Sequence, residues 1–419
     1  MNLDFIKKND LCISCGACKH LAPDKISIKE DVNKGMFHPV ISKPLTEKES
    51  TKILEICPAK GYPIKEIAAN IFPNAINEDY RTGKYISIGA YKMNDNKILK
   101  DASSGGIMTG LAKKMLDLRI VDGIVASSFK YVGDKISVHS EIITDSKNLY
   151  KTQGSKYMPV PALLIIDKIK KFNGKVVFIG TPCQIATIRL LQKTDEELEK
   201  KIKYTIGNFC GGFKDLRELH KFKKISKMNG KEITHFQYRG NGQPGKMKIV
   251  SNDGNKWEYP YPNYANLTGY MKQYRCRVCV DATAELADIS CGDAWLNKYE
   301  NLGGNWSIAL IRNSEIVPII DQMIQSNEIS FKKLSLNELI ISQKGNLTSK
   351  KERYLSRNKF LQFLNKPLPS FDGGWNLVQS KSILFEAKVY ISQLIIYQLE
   401  RLKLHFLVLN LRKILNKHK

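Results

Sequence analysis

The feature that most narrows what this chain can fold into is Cys12-x2-Cys15-x2-Cys18, followed far downstream by Cys57-Pro58. Thiolates are soft, charged ligands that suit iron–sulfur clusters or zinc. Three cysteines two residues apart wrap the backbone around an inorganic cube so that successive sulfurs reach three corners, and a remote Cys-Pro closes the fourth. Zinc sites more often pair two Cys-x2-Cys knuckles, so the spacing predicts iron and sulfide. Gly16-Ala17 supplies small residues where the backbone must approach the cluster. Between the cysteines, Ile26–Lys29 reads as a strand. Thr46-Glu47-Lys48-Glu49 opens a helix over Thr46–Glu55 with a capping-box pattern. Residues 1–72 are too few to fold securely without a metal centre as staple.

The spacing is ferredoxin-like, and the module is expected to hold a single 4Fe-4S cluster. In two-cluster ferredoxins a fourth cysteine, three residues on, serves the second cluster; here Ala22-Pro23 stands there. After a linker over Pro73–Lys84, apolar strands alternate with helices. Ile86–Tyr91, Val121–Ser127 and Val176–Ile179 read as strands, and Ile107–Leu118 and Ala162–Phe172 as helices. With 419 residues, 42% apolar and 26% charged, the chain is a globular protein and neither disordered nor collagenous. The fold expected is α/β (α+β): the ferredoxin-like module, then a mixed α/β domain in two parts, residues 80–160 and 161–350, then a basic helical tail, residues 368–419.

Five more cysteines remain. Cys276-Arg-Val-Cys279 lies in a basic stretch, and by itself fits zinc, a redox dithiol or a cluster. Cys183, in Gly180-Thr-Pro-Cys-Gln184, sits where a strand gives way to a helix, whose N-terminus favours a thiolate. Cys210 precedes Gly211-Gly212 at another strand end, so two strand-end cysteines and one pair could form a second four-thiolate site. Cys291 is left over. Ser103-Ser104-Gly105-Gly106 before the Ile107 helix offers amides and hydroxyls to a diphosphate, with Lys156 or Lys175 to offset its charge. No Gly-x-Gly-x-x-Gly fingerprint opens a βαβ unit, so a Rossmann-type site is not expected.

Lys and Arg exceed Asp and Glu by 25, a surplus that points to anionic surroundings: nucleic acid, an acidic membrane face, a phosphorylated cofactor or an acidic partner. The N-terminus has no apolar core of signal-peptide length and no run is apolar enough to span a bilayer, so a cytoplasmic chain with reduced cysteines is expected. After Glu400 the tail carries six Lys or Arg and no acid. Its apolar residues Leu402, Leu404, Phe406, Leu407, Val408, Leu409 and Leu411 run nearly all round a helix, which favours packing on the body or another subunit over lying on an anionic membrane face.

Together, Ser103–Gly106, Gln153-Gly154-Ser155-Lys156-Tyr157, Gly180–Gln184, Cys276-x2-Cys279 and Ala287-Asp288-Ile289-Ser290-x-Gly292-Asp293 resemble the beta subunits of coenzyme F420 hydrogenases and dehydrogenases, over about Tyr85–Lys351. The plant 7-hydroxymethyl chlorophyll a reductase looks like a relative of the same architecture. The resemblance implies a flavoprotein with FAD and two 4Fe-4S clusters. Ser103, Ser104, Gly105, Gly106, Thr109, Gln153, Gly154, Ser155, Lys156 and Tyr157 would surround the FAD; Cys183, Cys210, Cys276 and Cys279 would hold the second cluster.

The function expected is therefore an iron–sulfur flavoprotein oxidoreductase. It would take electrons from an acidic ferredoxin or flavodoxin and pass them through two clusters to FAD and a small molecule, in a role such as surface-polysaccharide metabolism. The alternative is an electron-transfer subunit that feeds a separate enzyme. A zinc-stabilised nucleic-acid binder, suggested by the basic charge, stands furthest behind, and nucleic acid is not an expected partner. Candidate acid/base groups are Asp281, Asp293, His235 and Tyr238, and the loop Arg239–Gly245 is placed to cover a flavin face or to end a hairpin.

Overall fold

The computed structural model describes residues 1–240, 242–373, 375 and 381–402. The N-terminal module is a hairpin, Ile26–Asp31 paired antiparallel with Met36–Ile41, beside the helix Glu47–Ile56. The capping box forms: Glu49 N donates to Thr46 Oγ1 at 3.2 Å, and Thr46 N donates to Glu49 Oε2 at 2.7 Å. Leu3, Ile6, Leu11, Ile26 and Ile53 make a small core against which Cys12, Cys18 and Cys57 pack. The sulfurs are thus part of what little interior the module has.

An eight-stranded mixed sheet organises the rest. Its spatial order is Ile329–Lys333, Ser87–Met93, Ser307–Ile311, Ile289–Asp293, Ile202–Asn208, Val176–Gly180, Gly123–Val132 and Lys135–Ile143. Four neighbouring strands, from Ile289–Asp293 to Gly123–Val132, run parallel, and the outer ones are antiparallel. Val176, Val177 and Phe178 are all fully buried, the continuous apolar run that a strand covered on both faces requires. The sheet draws strands from both parts of the α/β region. Gly180 lies opposite Gly207, and Asn208 opposite Cys291, so three adjacent parallel strands end level with one another. In sheets of this kind ligands bind outside the carboxyl ends of the strands.

The expected helix after Gly106 runs Ile107–Asp117, burying Ile107, Leu111 and Met115 against the sheet. Those three side chains together contribute roughly 5–8 kcal/mol before the entropy of ordering them. Leu118 caps the helix and faces solvent, because the turn to the next strand begins there. The stretch read as a helix over Ala162–Phe172 opens with one 3-10 turn, Ala162–Ile165, and becomes α-helical at Ile166. The expected linker contains a small hairpin, Asn77–Asp79 with Gly83–Tyr85, whose turn is held by Arg81 on Asp79.

A separate three-stranded antiparallel sheet, Ile233–Gln237, Lys246–Ser251 and Lys256–Pro260, packs on the edge of the main one, its Phe236, Met247 and Ile249 sharing a core with Ile136, Val138 and Tyr264. The helix Ile383–Arg401 packs on Tyr354–Phe363 through a two-bond Arg353–Glu386 pair, both at 2.7 Å, and Phe360 on Tyr390. Its opposite face leaves Leu384, Ile391, Ile395 and Leu402 exposed. Leu404 to Leu411 and the basic residues past Leu402 lie outside the described residues. Among the described residues, no helix is long and apolar enough to cross a membrane.

Candidate redox site

The first cysteine set is assembled by short elements. Cys12 and Cys15 lie in the loop before helix Ala17–Leu21, Cys18 within that helix, and Cys57 caps Glu47–Ile56 before Pro58 turns the chain. Gly16 holds φ +87°, and a Cβ there would strike Leu164 at 2.9 Å, so this loop lies flush against the α/β body. Burial pushes the Cys12 thiol up to about 12, and its neighbours add to this: Cys12, Cys15 and Cys18 each sense Cys57.

The second set converges from distant segments. Cys183 is in the first turn of helix Pro182–Gln192, whose N-cap Thr181 offers its hydroxyl to the sulfur at 3.4 Å. Cys210 follows the strand Ile202–Asn208, and Gly212 N donates to its sulfur at 3.3 Å. Cys276 is in the one-turn helix Tyr274–Arg277, with Cys279 just beyond. Burial raises Cys183 to about 12, with Cys210, Cys279 and Cys276 all contributing. Burial would raise Cys279 too, but Lys350 and Arg275 bring it below its ordinary value. Lys350 is buried with Nζ 3.5 Å from Cys279 Sγ, and it also donates to Asp281 O at 2.6 Å.

A cavity of about 300 Å³ joins this set to the loops singled out for a cofactor, a volume at the lower end for small-molecule sites. Cys183, Cys210, Cys276, Cys279 and Cys291 line it, as do Ser103, Ser104, Gly106, Thr109 and the whole of Gln153–Tyr157. Gly105 does not. Its amide donates to Ser307 Oγ at 2.8 Å, and a Cβ there would meet Tyr91 O at 2.3 Å, so it is a packing glycine. Gly106 adopts φ +73° as the N-cap, and Ile107, Met108 and Thr109 of the following first turn, whose amides have no intrahelical partner, line the cavity.

The two loops are tied to each other. Ser155 N donates to Ser103 Oγ at 3.1 Å, and the Ser104 and Ser307 hydroxyls pair at 2.8 Å. Arg239, 2% exposed, binds both Asp293 oxygens at 2.9 Å, Ser103 O at 2.8 Å and Pro244 O at 2.9 Å. Its guanidinium also lies 4.9 Å from the Tyr261 ring and 5.3 Å from Trp295. Asp293 is the carboxylate that lines the cavity, and Arg239 holds it in place.

The other acid/base candidates take structural places. Asp281 is fully buried and accepts the amides of Thr283 and Glu285, capping a turn. His235 contacts Gln237 at 3.2 Å in the small sheet, and Tyr238 packs among Phe236, Tyr157 and Tyr264. Lys175 precedes the strand Val176–Gly180, so it lies at the opposite end from Cys183 and cannot serve the cavity. Lys156 does line it, yet its Nζ donates to the carbonyls of Thr152, Gln153 and Gly154, bracing its own loop. Cys291 is a buried strand residue that senses Arg312 and none of the other thiols. Ser307, Lys350 and Arg275 escaped the sequence reading because none stands in a recognisable local pattern, and Arg239, which opens the loop expected to cover a flavin face or end a hairpin, is instead the clamp on Asp293 and Ser103.

The residues fit the implied groups on two counts. Gln153 Oε1 is buried without a donor while its amide nitrogen is held by Ile98 O at 2.9 Å, leaving an acceptor for a ring N–H. Buried Arg275 and Lys350 and half-buried Lys272 surround the second set, with Asp281 the carboxylate sensed by Cys279. Buried cations cost several kcal/mol each unless anions compensate them, which four cluster thiolates would do.

Comparison with known proteins agrees with this architecture. Residues 90–167 match the model for the coenzyme F420 hydrogenase/dehydrogenase beta subunit N-terminus, and residues 173–336 that for its C terminus. The beta subunit of coenzyme F420 hydrogenase from Methanosarcina barkeri is 27% identical over 52% of this chain and 75% of its own length. The coenzyme F420-dependent sulfite reductase of Methanocaldococcus jannaschii is 26% identical over 69% of this chain, which spans only 43% of that longer protein. The beta subunit of the F420-dependent formate dehydrogenase of the same organism is 26% identical over 68% of this chain and 73% of its own. In the solved F420-reducing [NiFe] hydrogenase complex of Methanosarcina barkeri, one chain superposes with a TM-score of 0.55 at 22% identity, covering 70% of this chain and 98% of that one. With the two family models spanning more than half its length, the chain belongs to the coenzyme F420 hydrogenase/dehydrogenase beta-subunit family.

Proposed function

We propose that this chain is the electron-transfer subunit of a redox enzyme. Cys12, Cys15, Cys18 and Cys57 would hold one 4Fe-4S cluster, and Cys183, Cys210, Cys276 and Cys279 a second. FAD would occupy the cavity between Ser103–Gly106 and Gln153–Tyr157. The observation that carries this reading is that the second set of thiols and both loops line one cavity. When bound, the flavin would exchange two electrons with a hydride acceptor or donor and one at a time with the clusters.

The chain's own residues would supply position and charge. The first-turn amides after Gly106 would receive the diphosphate, Gln153 Oε1 would accept a ring N–H, and Arg239 with Asp293 would hold the two loops to one geometry. Lys350 at Cys279 would stabilise thiolate charge. The relatives named above are in most cases subunits, which favours the reading as a feeder of a separate enzyme over a self-sufficient reductase. For the partner subunit, the exposed apolar stripe Leu384, Ile391, Ile395 and Leu402 offers a face. A one-electron carrier, such as an acidic ferredoxin, would be steered by the basic surplus. Nothing in the comparisons bears on surface polysaccharide.

The test is anaerobic reconstitution of the isolated chain with iron, sulfide and FAD. The proposal expects reduced viologen to reduce the bound flavin, with no small molecule turned over until a second subunit is added. Turnover of a small molecule by the isolated chain would favour the self-sufficient reductase, and failure to bind flavin would remove the cavity assignment.

A further inference from the structure

The two cysteine sets meet at one side chain. Arg275 is 1% exposed and is the chain neighbour of Cys276. Its Nε and Nη2 both donate to Pro58 O, at 3.2 and 2.6 Å, and Pro58 is the chain neighbour of Cys57. The guanidinium lies 5.4 Å from the Phe371 ring, and Arg275 N donates to Asp10 O at 3.3 Å, so both its ends are fixed against the N-terminal module. Its field reaches Cys57 of the first set and Cys183, Cys276 and Cys279 of the second. No other side chain among the described residues both bonds the Cys57–Pro58 turn and adjoins the Cys276–Cys279 pair.

We propose that Arg275 is a positioning residue shared by both centres: it locks the Cys57–Pro58 turn against the Cys276–Cys279 pair and biases both clusters toward their reduced state. This rests on the two-cluster reading above. A guanidinium stays protonated in proteins, so it places a permanent positive charge in a dry interior. Adding one electron to a cluster makes it more negative, and a fixed cation beside it stabilises that form. Because one cation serves both centres, removing it shifts both potentials in the same direction. Lys350, which touches Cys279 and not the first set, supplies the contrast.

The experiment compares the wild type with R275Q, R275K and K350M as full-length, anaerobically reconstituted chains. Iron and sulfide are counted first, then reduction is titrated with dithionite and followed by electron paramagnetic resonance. At the wild-type midpoint of each cluster, R275Q is expected to show the reduced-to-oxidised ratio fall about tenfold for both signals, which is about 59 mV for a one-electron centre. K350M is expected to shift one signal only. R275K keeps the charge and loses the fork, so its potentials return toward wild type while limited proteolysis near residues 57–62 speeds up. If R275Q does not fold, R275K and K350M still decide the matter: loss of cluster order in R275K without protection of either potential overturns the proposal. Two clusters in R275Q at unmoved potentials also overturn it. A wild type that binds fewer than two clusters overturns the two-cluster reading instead.

Discussion

Arg239→Met is the substitution that most directly probes how the cavity is held together. The guanidinium makes two bonds of 2.9 Å to Asp293, one of 2.8 Å to Ser103 O and one of 2.9 Å to Pro244 O. Truncating one partner of a buried ion pair costs roughly 3–5 kcal/mol. The Asp293 side chain is 21% exposed, which lets water compensate in part and places the cost at the lower end, about 3 kcal/mol. Methionine keeps most of the volume between Tyr261 and Trp295, so the loss is electrostatic rather than a cavity. Since Arg239 ties the serine–glycine loop to the strand end that lines the cavity, most of that energy should appear in flavin binding. At 1.4 kcal/mol per tenfold, about 3 kcal/mol is roughly a 100-fold weaker Kd. Flavin fluorescence titration of the reconstituted chain measures it. R239K, which keeps charge without the fork, is expected to fall between the two. A folded R239M that binds FAD within about threefold of wild type would refute the claim that this pair organises the site.

Four further outcomes are expected. C183A and C279A should each cut iron per chain to about half while the first centre stays intact, whereas C291S should leave the iron count unchanged, both read by metal analysis. G105A forces a Cβ to within 2.3 Å of Tyr91 O and should lower thermal stability by roughly 1–3 kcal/mol. Burial raises the Glu285 carboxyl to about 7 despite Lys351 beside it. The folded chain therefore holds a proton there that the unfolded chain releases above about 4.5. Stability of wild type relative to E285Q should accordingly fall as pH rises from about 4.5 to about 7, then level off, measured by thermal unfolding at several pH values.

Much of the architecture is written locally, and that part reads directly. The Thr46 capping box and the Ile107, Leu111 and Met115 spacing are settled within one or two turns, so the helices fall where the pattern puts them. Cys183 at a helix start and Cys210 at a strand end were also visible, because strand-to-helix junctions carry recognisable residues. What sequence could not place depends on chain segments far apart. Lys156, and after it Lys175, looked suited to a phosphate, yet Lys175 lies at the wrong end of its strand and Lys156 is consumed by carbonyls of its own loop. Arg239 reaches Ser103 across 136 residues and Arg275 reaches Pro58 across 217, separations that no periodicity records. The four candidate acid/base groups show the same limit: burial and partners separated Asp293 from Asp281, His235 and Tyr238.

The central proposal is that two four-thiolate centres sit beside one flavin cavity, and iron and acid-labile sulfide per chain test it most directly. After anaerobic reconstitution the account predicts about eight of each per polypeptide, falling to about four when Cys183 and Cys279 are replaced together. A wild-type chain that saturates at about four irons, or a colourless one that takes up zinc in their place, would contradict it.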